Sequence, residues 1–182
     1  MTIQHCDTML GAVTTGIQHC NVQFGKTWNI ATLEQSTADG NASWGTSPNY
    51  WSSSATNDWS DNTWKLTPSD SRGGGNLRVT VYVDSGSVPI MKIMASPYEN
   101  PDLSGNTSSP YGTIYAGNTY VFPGSPKDYQ TGYFCMTTGW AGSWSISAHI
   151  TKIEWRETNK DYYTIWEERL LGNIKHCDVR FG

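Results

Sequence analysis

The sequence predicts an all-β fold: an antiparallel β-sandwich of jelly-roll order, with strand-forming extensions at the N- and C-termini. Three observations predict it. Leu77 to Asp84 alternates strictly, with Leu77, Val79, Val81 and Val83 on one side and Arg78, Thr80, Tyr82 and Asp84 on the other, the pattern of a sheet with one wet face. Short apolar runs recur between Gly, Asn and Pro turns, the spacing of a sandwich. The composition has only 15% charged residues but nine Trp, ten Tyr and 18 Gly, which suits a β-rich, turn-rich chain rather than a disordered one.

The elements follow in order. Lys26 to Leu33 reads as a strand. Ser36 to Gly75 is polar and rich in Ser, Asn and Asp; so long a stretch without structure is unusual, and one or two short strands, such as Asp61 to Thr67, are expected among ordered loops. Val88 to Ala95 is a strand whose Pro89 marks a start or an edge. Tyr111 to Phe122 reads as a hairpin turning at Ala116-Gly117-Asn118. Thr131 to Thr138, carrying Cys135, is a further strand. Ser143 to Glu157 needs a bulge, because its apolar positions change phase between Ile150 and Ile153. Tyr162 to Leu171 has helical spacing, yet Tyr-Tyr-Thr-Ile-Trp favours a strand after a loop at Thr158 to Asp161. Strand is the expectation. The 182 residues suit one sandwich domain, residues 26–171, flanked by extensions at 1–25 and 172–182.

Those extensions carry a repeat. The pattern I-[QK]-H-C-[DN]-x-x-[LMF]-G occurs at Ile3 to Gly11, Ile17 to Gly25 and Ile174 to Gly182. On a strand, Cys177, Val179 and Phe181 share one face while Ile174, His176, Asp178 and Arg180 share the other. Neighbouring residues of a strand diverge, so a His-Cys pair gripping one ion or acting as one nucleophile needs irregular backbone. The cysteine face is suited to packing or to cross-linking, since cysteines on paired strands approach disulfide distance. Cys6, Cys20 and Cys177, with Cys135, are the cross-link or assembly candidates. His5, His19, His176 and Asp178 are the metal candidates, for zinc or copper(I) if the thiolates join them; no C-x-x-C pair reinforces that set. A β-segment repeated at both ends can add to the sheet edge of another subunit, and such head-to-tail contacts give rings or filaments.

A second candidate lies in the aromatic middle. Trp44, Tyr50, Trp51, Trp59, Trp64, Trp140 and Trp144 stand among polar residues. They serve either as core anchors or as faces for sugar rings. For the latter, Tyr50, Trp51, Trp59, Asp61, Asn62 and Trp64 combine stacking surfaces with hydrogen-bonding side chains. Asn57, Asp58, Asp61 and Asn62 carry calcium-type oxygens without a recognised ligand register. Asp84, Glu154, Glu157, Glu167 and Glu168 are available acids that no spacing singles out, and His149 has the standing of a hydrogen-bonded sheet histidine.

The net charge of −4, without a basic cluster, argues against nucleic acid. No run reaches membrane-spanning length, and Met-Thr-Ile-Gln-His-Cys carries no signal-peptide pattern. The leading expectation is a non-enzymatic structural subunit that joins copies of itself through terminal strands, at the cell surface or outside it. A lectin-like carbohydrate-binding sandwich is the alternative.

Overall fold

The computed structural model describes residues 31–68, 75–96, 110–124 and 132–168, and among these residues it contains eleven strands and no helix. They are β1 (Ala31–Asp39), β2 (Ala42–Trp44), β3 (Tyr50–Thr56), β4 (Trp59–Pro68), β5 (Gly75–Val88), β6 (Ile90–Ser96), β7 (Ile114–Tyr115), β8 (Thr119–Gly124), β9 (Gly132–Gly139), β10 (Ser143–Glu157) and β11 (Tyr163–Glu167). One sheet has the order β1-β4-β9-β6; the other runs β2-β3-β10-β5, with β7 and β8 on the far edge of β5 and β11 beside β10. Every pairing is antiparallel. Pairs β3 with β10, β4 with β9 and β5 with β8 nest inside one another in the chain and alternate between sheets.

The two inner faces meet in one apolar core. From β10 it takes Trp144, Ile146, Ala148 and Ile150, then, after the phase change, Ile153 and Trp155. From β5 it takes Leu77, Val79, Val81 and Val83, as the alternation predicts. Aromatic rings fill the middle. Trp64 meets Trp51 and Trp44 edge-on, each at 5.2 Å, and stacks on Phe134 at 5.2 Å. Its indole N–H donates to the Pro48 carbonyl at 2.8 Å, so this large ring is buried with its polar atom satisfied.

Several expectations change. The polar stretch from Ser36 is mostly sheet: β1 continues to Asp39, β2 and β3 follow, and β4 spans Trp59–Pro68. Serine and asparagine have weak strand preference, but strand propensity yields to the neighbours a strand is given. The hairpin at 116–118 is not one. β7 and β8 run in the same direction along β5, pairing with Ser87–Val88 and with Leu77–Tyr82 respectively. Residues 116–118 are a step between them, pinned by Ala116 N–H to Gly86 O at 3.0 Å and Gly117 N–H to Val83 O at 2.8 Å. Gly117 (φ 77°) and Gly86 (φ 76°) both take left-handed backbone there, which glycine supplies to a bulge as readily as to a turn.

Other expectations hold. The bulge in β10 falls between Ile150 and Lys152, Pro89 precedes β6 directly, and Tyr163–Glu167 is a strand. The loop before β11 closes with Lys160 N–H to Glu157 O at 3.0 Å, with Asn159 at φ 62°.

Cys135, a cross-link candidate, is buried in the sheet. β9 is buried on both faces, and Cys135, 1% exposed, is a free thiol between Thr63 and Met94 on the flanking strands. Burial pushes that thiol up to about 12, so it is neither accessible nor ionised at neutral pH. Cys6, Cys20, Cys177, His5, His19, His176, Asp178 and both repeat-bearing extensions lie outside the described residues.

Candidate functional site: a hydroxyl-lined strip ending on an aromatic rung

The outer face of the seven-stranded sheet divides into zones along β10. Residues 143, 145, 147 and 149 share one parity and point away from the core. The first three are serines, and the strands beside them repeat the choice. Ser43, Ser52, Ser147 and Ser85 form one transverse row, Ser54, Ser145 and Ser87 the next, and Thr56 with Ser143 a third. Hydroxyls touch within rows, Ser43 to Ser52 at 2.8 Å and Thr56 to Ser143 at 3.1 Å. Side chains this small leave a low floor.

The next row is taller. His149 lies directly opposite Tyr50 on β3 and Tyr82 on β5. Tyr50 stacks on the imidazole at 4.3 Å and 15°, and Tyr82 tilts against it at 5.5 Å; both spacings are close to the distance between adjacent strands. Two bulges frame this rung. β5 carries Asp84 as an extra residue between the partners of Ser147 and Ala148, which brings its carboxylate to His149 Nδ1 at 2.8 Å. β10 carries Thr151 as an extra residue, and its carbonyl accepts the Glu168 N–H at 2.9 Å. Glu168 thereby reaches His149 Nε2 at 3.3 Å. Re-aiming side chains is what bulges do beside functional sites. Asn49, buried, completes the frame by donating to Glu168 Oε1 and to the Ile150 carbonyl, each at 2.9 Å.

The electrostatics follow. Burial raises the Tyr50 phenol above its ordinary value, and the Glu168 and Asp84 carboxylates and the hydrogen bond to Glu168 raise it further. Tyr50 therefore stays a neutral donor, and Asp84, whose side chain is 33% exposed, keeps acceptor capacity for a ligand. Beyond the rung the face turns cationic. Arg78 and Lys152 both grip Glu154, at 2.8 and 2.9 Å, while Arg78 and Arg156 lie over the Tyr162 ring at 4.0 and 4.7 Å. Burial pushes the Glu154 carboxyl up, but the two cations outweigh it and the net direction is down.

The six residues expected to bind sugar are scattered. Tyr50 stands in the rung. Trp51 and Trp64 are 1% and 0% exposed in the core, and Asn62 is buried there accepting from Ser53; none offers a face to a ligand, because the sandwich uses these rings to fill the space between its sheets. Trp59 and Asp61 belong to the outer face of the other sheet, with Lys92 and the exposed Trp140. Asn57 and Asp58 are used by the backbone: Asn57 Oδ1 accepts from Gly142 N–H and Asp58 Oδ1 from Trp59 N–H. Among the described residues no group of three His, Cys, Asp or Glu is placed to hold a metal ion.

His149, Tyr82, Asp84 and Glu168 are the residues that sequence reasoning did not join. One signal was present: Ser143-Trp-Ser-Ile-Ser-Ala-His149 places three serines and the histidine on one polar face.

No protein-family model matches the chain, and no curated protein matches it. Among solved structures, the chain is similar to that of TmCBM61 in complex with beta-1,4-galactotriose. The identity is 8%, the match covers 66% of this chain and 86% of that one, and the TM-score is 0.25.

Proposed function

We propose that this protein is a non-catalytic, carbohydrate-binding β-sandwich module whose ligand is an uncharged glycan chain lying along the serine rows and ending against the Tyr50–His149–Tyr82 rung. The observation that carries the reading is the relief of that face: three rows of small hydroxyls, then a wall of rings flanked by Asp84 and Glu168. A polyhydroxylated chain matches it in chemistry, since neutral donors and acceptors line the floor and carboxylates accept from hydroxyls at its end. Such a role implies an extracellular or surface location. The test is affinity electrophoresis in native gels containing galactan, xylan, mannan or dextran. At least one of them retards the wild-type protein; Ser145→Arg, at an exposed position, fills the strip and reduces retardation, and Tyr82→Ala weakens it. A wild-type protein that migrates freely in all four gels rules the reading out.

A second reading, self-assembly, is favoured by the repeat itself, whose three copies each pair cysteine with an apolar position four residues on (Leu10, Phe24, Phe181). With Cys135 buried, cross-links fall to Cys6, Cys20 and Cys177. Non-reducing gels and light scattering of the full chain, with and without residues 1–16, test it. A monomer with four reactive thiols after unfolding, unaltered by the deletion, ends this reading.

A further inference from the structure

We propose that Trp59 and Trp140 form a second, independent sugar-ring platform on the opposite sheet. The proposal takes its ligand class from the glycan reading and its location from separate geometry. Trp59 opens β4 and Trp140 follows β9. Their ring centroids lie 6.4 Å apart at 36°, so the two indoles form a tilted pair. Trp140 is 57% exposed, an unusual position for the largest apolar side chain.

The backbone is bent to keep it there. Trp140, Ala141 and Gly142 have φ of 68°, 59° and 90°, and Asn57 in the facing turn has 50°. Left-handed backbone at a bulky residue is an outlier that persists only where the surroundings impose it. Here the facing turn imposes it, through Trp140 N–H to Asp58 O and Asn57 N–H to Gly142 O, both at 3.1 Å. A loop free to relax would fold the indole down; this one is tied so that it stands out.

Polar groups suited to hydroxyls lie beside the rings. The Lys92 ammonium sits 5.0 Å over the Trp59 ring. Lys92, Thr137, Asp61 and Asp39 form the adjoining transverse row of the four-stranded sheet. Burial raises the Asp61 carboxyl, partly offset by its bond to Thr137, and its Oδ1 is buried without a partner among the described residues; Lys92 and Asp39 of this row meet solvent.

The size of the surface selects the occupant. The other large exposed hydrophobics among the described residues, Tyr115 and Val121, belong to strands of the other sheet. The platform is therefore about two rings wide, against the roughly 800 Å² per partner of a stable protein interface. A pyranose ring, with one apolar C–H face and hydroxyls at its rim, fits the exposed Trp140 indole beside the Trp59 ring, with the Lys92 ammonium over that second ring and the Asp39 carboxylate in the adjoining row.

The test uses the full chain in the gels described above, with wild type, Ser145→Arg, Trp140→Gly and Trp140→Phe. Trp140→Gly reduces retardation by about threefold or more while its Tm is equal to or above that of wild type, because glycine accepts the left-handed backbone. Trp140→Phe retains most of the retardation. Unchanged retardation in Trp140→Gly overturns the platform and leaves the serine strip standing. Retardation lost in Trp140→Gly but kept in Ser145→Arg supports the platform and overturns the strip. A Trp140→Gly protein whose Tm falls together with its retardation marks Trp140 as structural and overturns the proposal. Free migration of wild type in every gel overturns both.

Discussion

On the outer face of the seven-stranded sheet, His149 is held between two carboxylates and two tyrosines, each placed by strand register or a bulge. At the end of the four-stranded sheet, Trp140 is held outward by three consecutive left-handed residues. Both arrangements present aromatic groups with polar neighbours, but they relate to stability with opposite signs. The histidine cluster satisfies partly buried polar groups, so its members stabilise the fold as they shape the site. The tryptophan loop stores strain and exposes apolar surface, so its side chain is kept at the expense of stability. A site of the first kind is legible as a network; one of the second kind is legible as an anomaly.

The comparison breaks first at His149. His149→Ala leaves Asp84 and Glu168 facing one another without their shared partner and removes two ring contacts. We expect a loss of about 2–4 kcal/mol in urea denaturation, below the value for a fully buried pair because Asp84 is a third exposed. A loss under about 0.5 kcal/mol, the range of ordinary surface changes, would show that the cluster is not structural and the contrast is wrong.

Tyr50→Phe is the next largest, at about 1–2 kcal/mol near neutral pH, because it removes a hydrogen bond to the Glu168 carboxylate. The sign with pH is defined. The folded-state phenol lies above its ordinary value of 10.0, so its contribution is complete below pH 10 and declines as pH rises through the folded value. The gap between wild type and Tyr50→Phe should therefore narrow in alkaline denaturation curves. A gap that widens there contradicts the assignment.

Trp140→Gly runs the other way. Replacing a left-handed tryptophan by glycine is expected to raise stability by about 0.5–1 kcal/mol, after allowing for the lost contact with Trp59, measured as an increase in Tm. Smallest of all is the coupling between the sites. Ser143, three residues after Trp140, lies roughly 20 Å from His149 along β10, so the double variant His149→Ala/Trp140→Gly should be additive within about 0.5 kcal/mol. A larger coupling energy would mean that the two regions share structure and cannot be treated separately.

Much of the fold was legible because it depends on periodicity. The alternation of Leu77 to Val83, the phase change in Ser143 to Glu157 and the proline before β6 each have one local physical meaning, and each appears where the residues place it. The step at 116–118 was misread because a left-handed glycine serves a hairpin and a bulge equally well, and only the partner strand β5 decides between them. The strands β2 and β3 were missed because serine-rich segments have little intrinsic preference and become sheet through their pairing.

The site was legible only in its materials. Tyr50 is a candidate in the chain, Asp84 and Glu168 are available acids, Tyr82 is an outward strand position, and the parity of Ser143 to His149 marks a polar face. Their meeting depends on a register that brings residues 50, 82 and 149 into one row, and on two bulges that turn Asp84 and Glu168 toward the ring. The tryptophans make the same point. Trp51, Trp59 and Trp64 are equivalent as letters in a polar stretch, yet two fill the core and one lies on the surface. By itself the sequence determined the class of fold, the direction each strand residue faces and the supply of rings and hydroxyls, because these follow from local sterics and period-two alternation. Which strands are neighbours, which residues share a row and which ring meets solvent were decided only by the tertiary structure, because each depends on contacts between segments far apart in the chain, as Asn49 and Glu168, 119 residues apart, are.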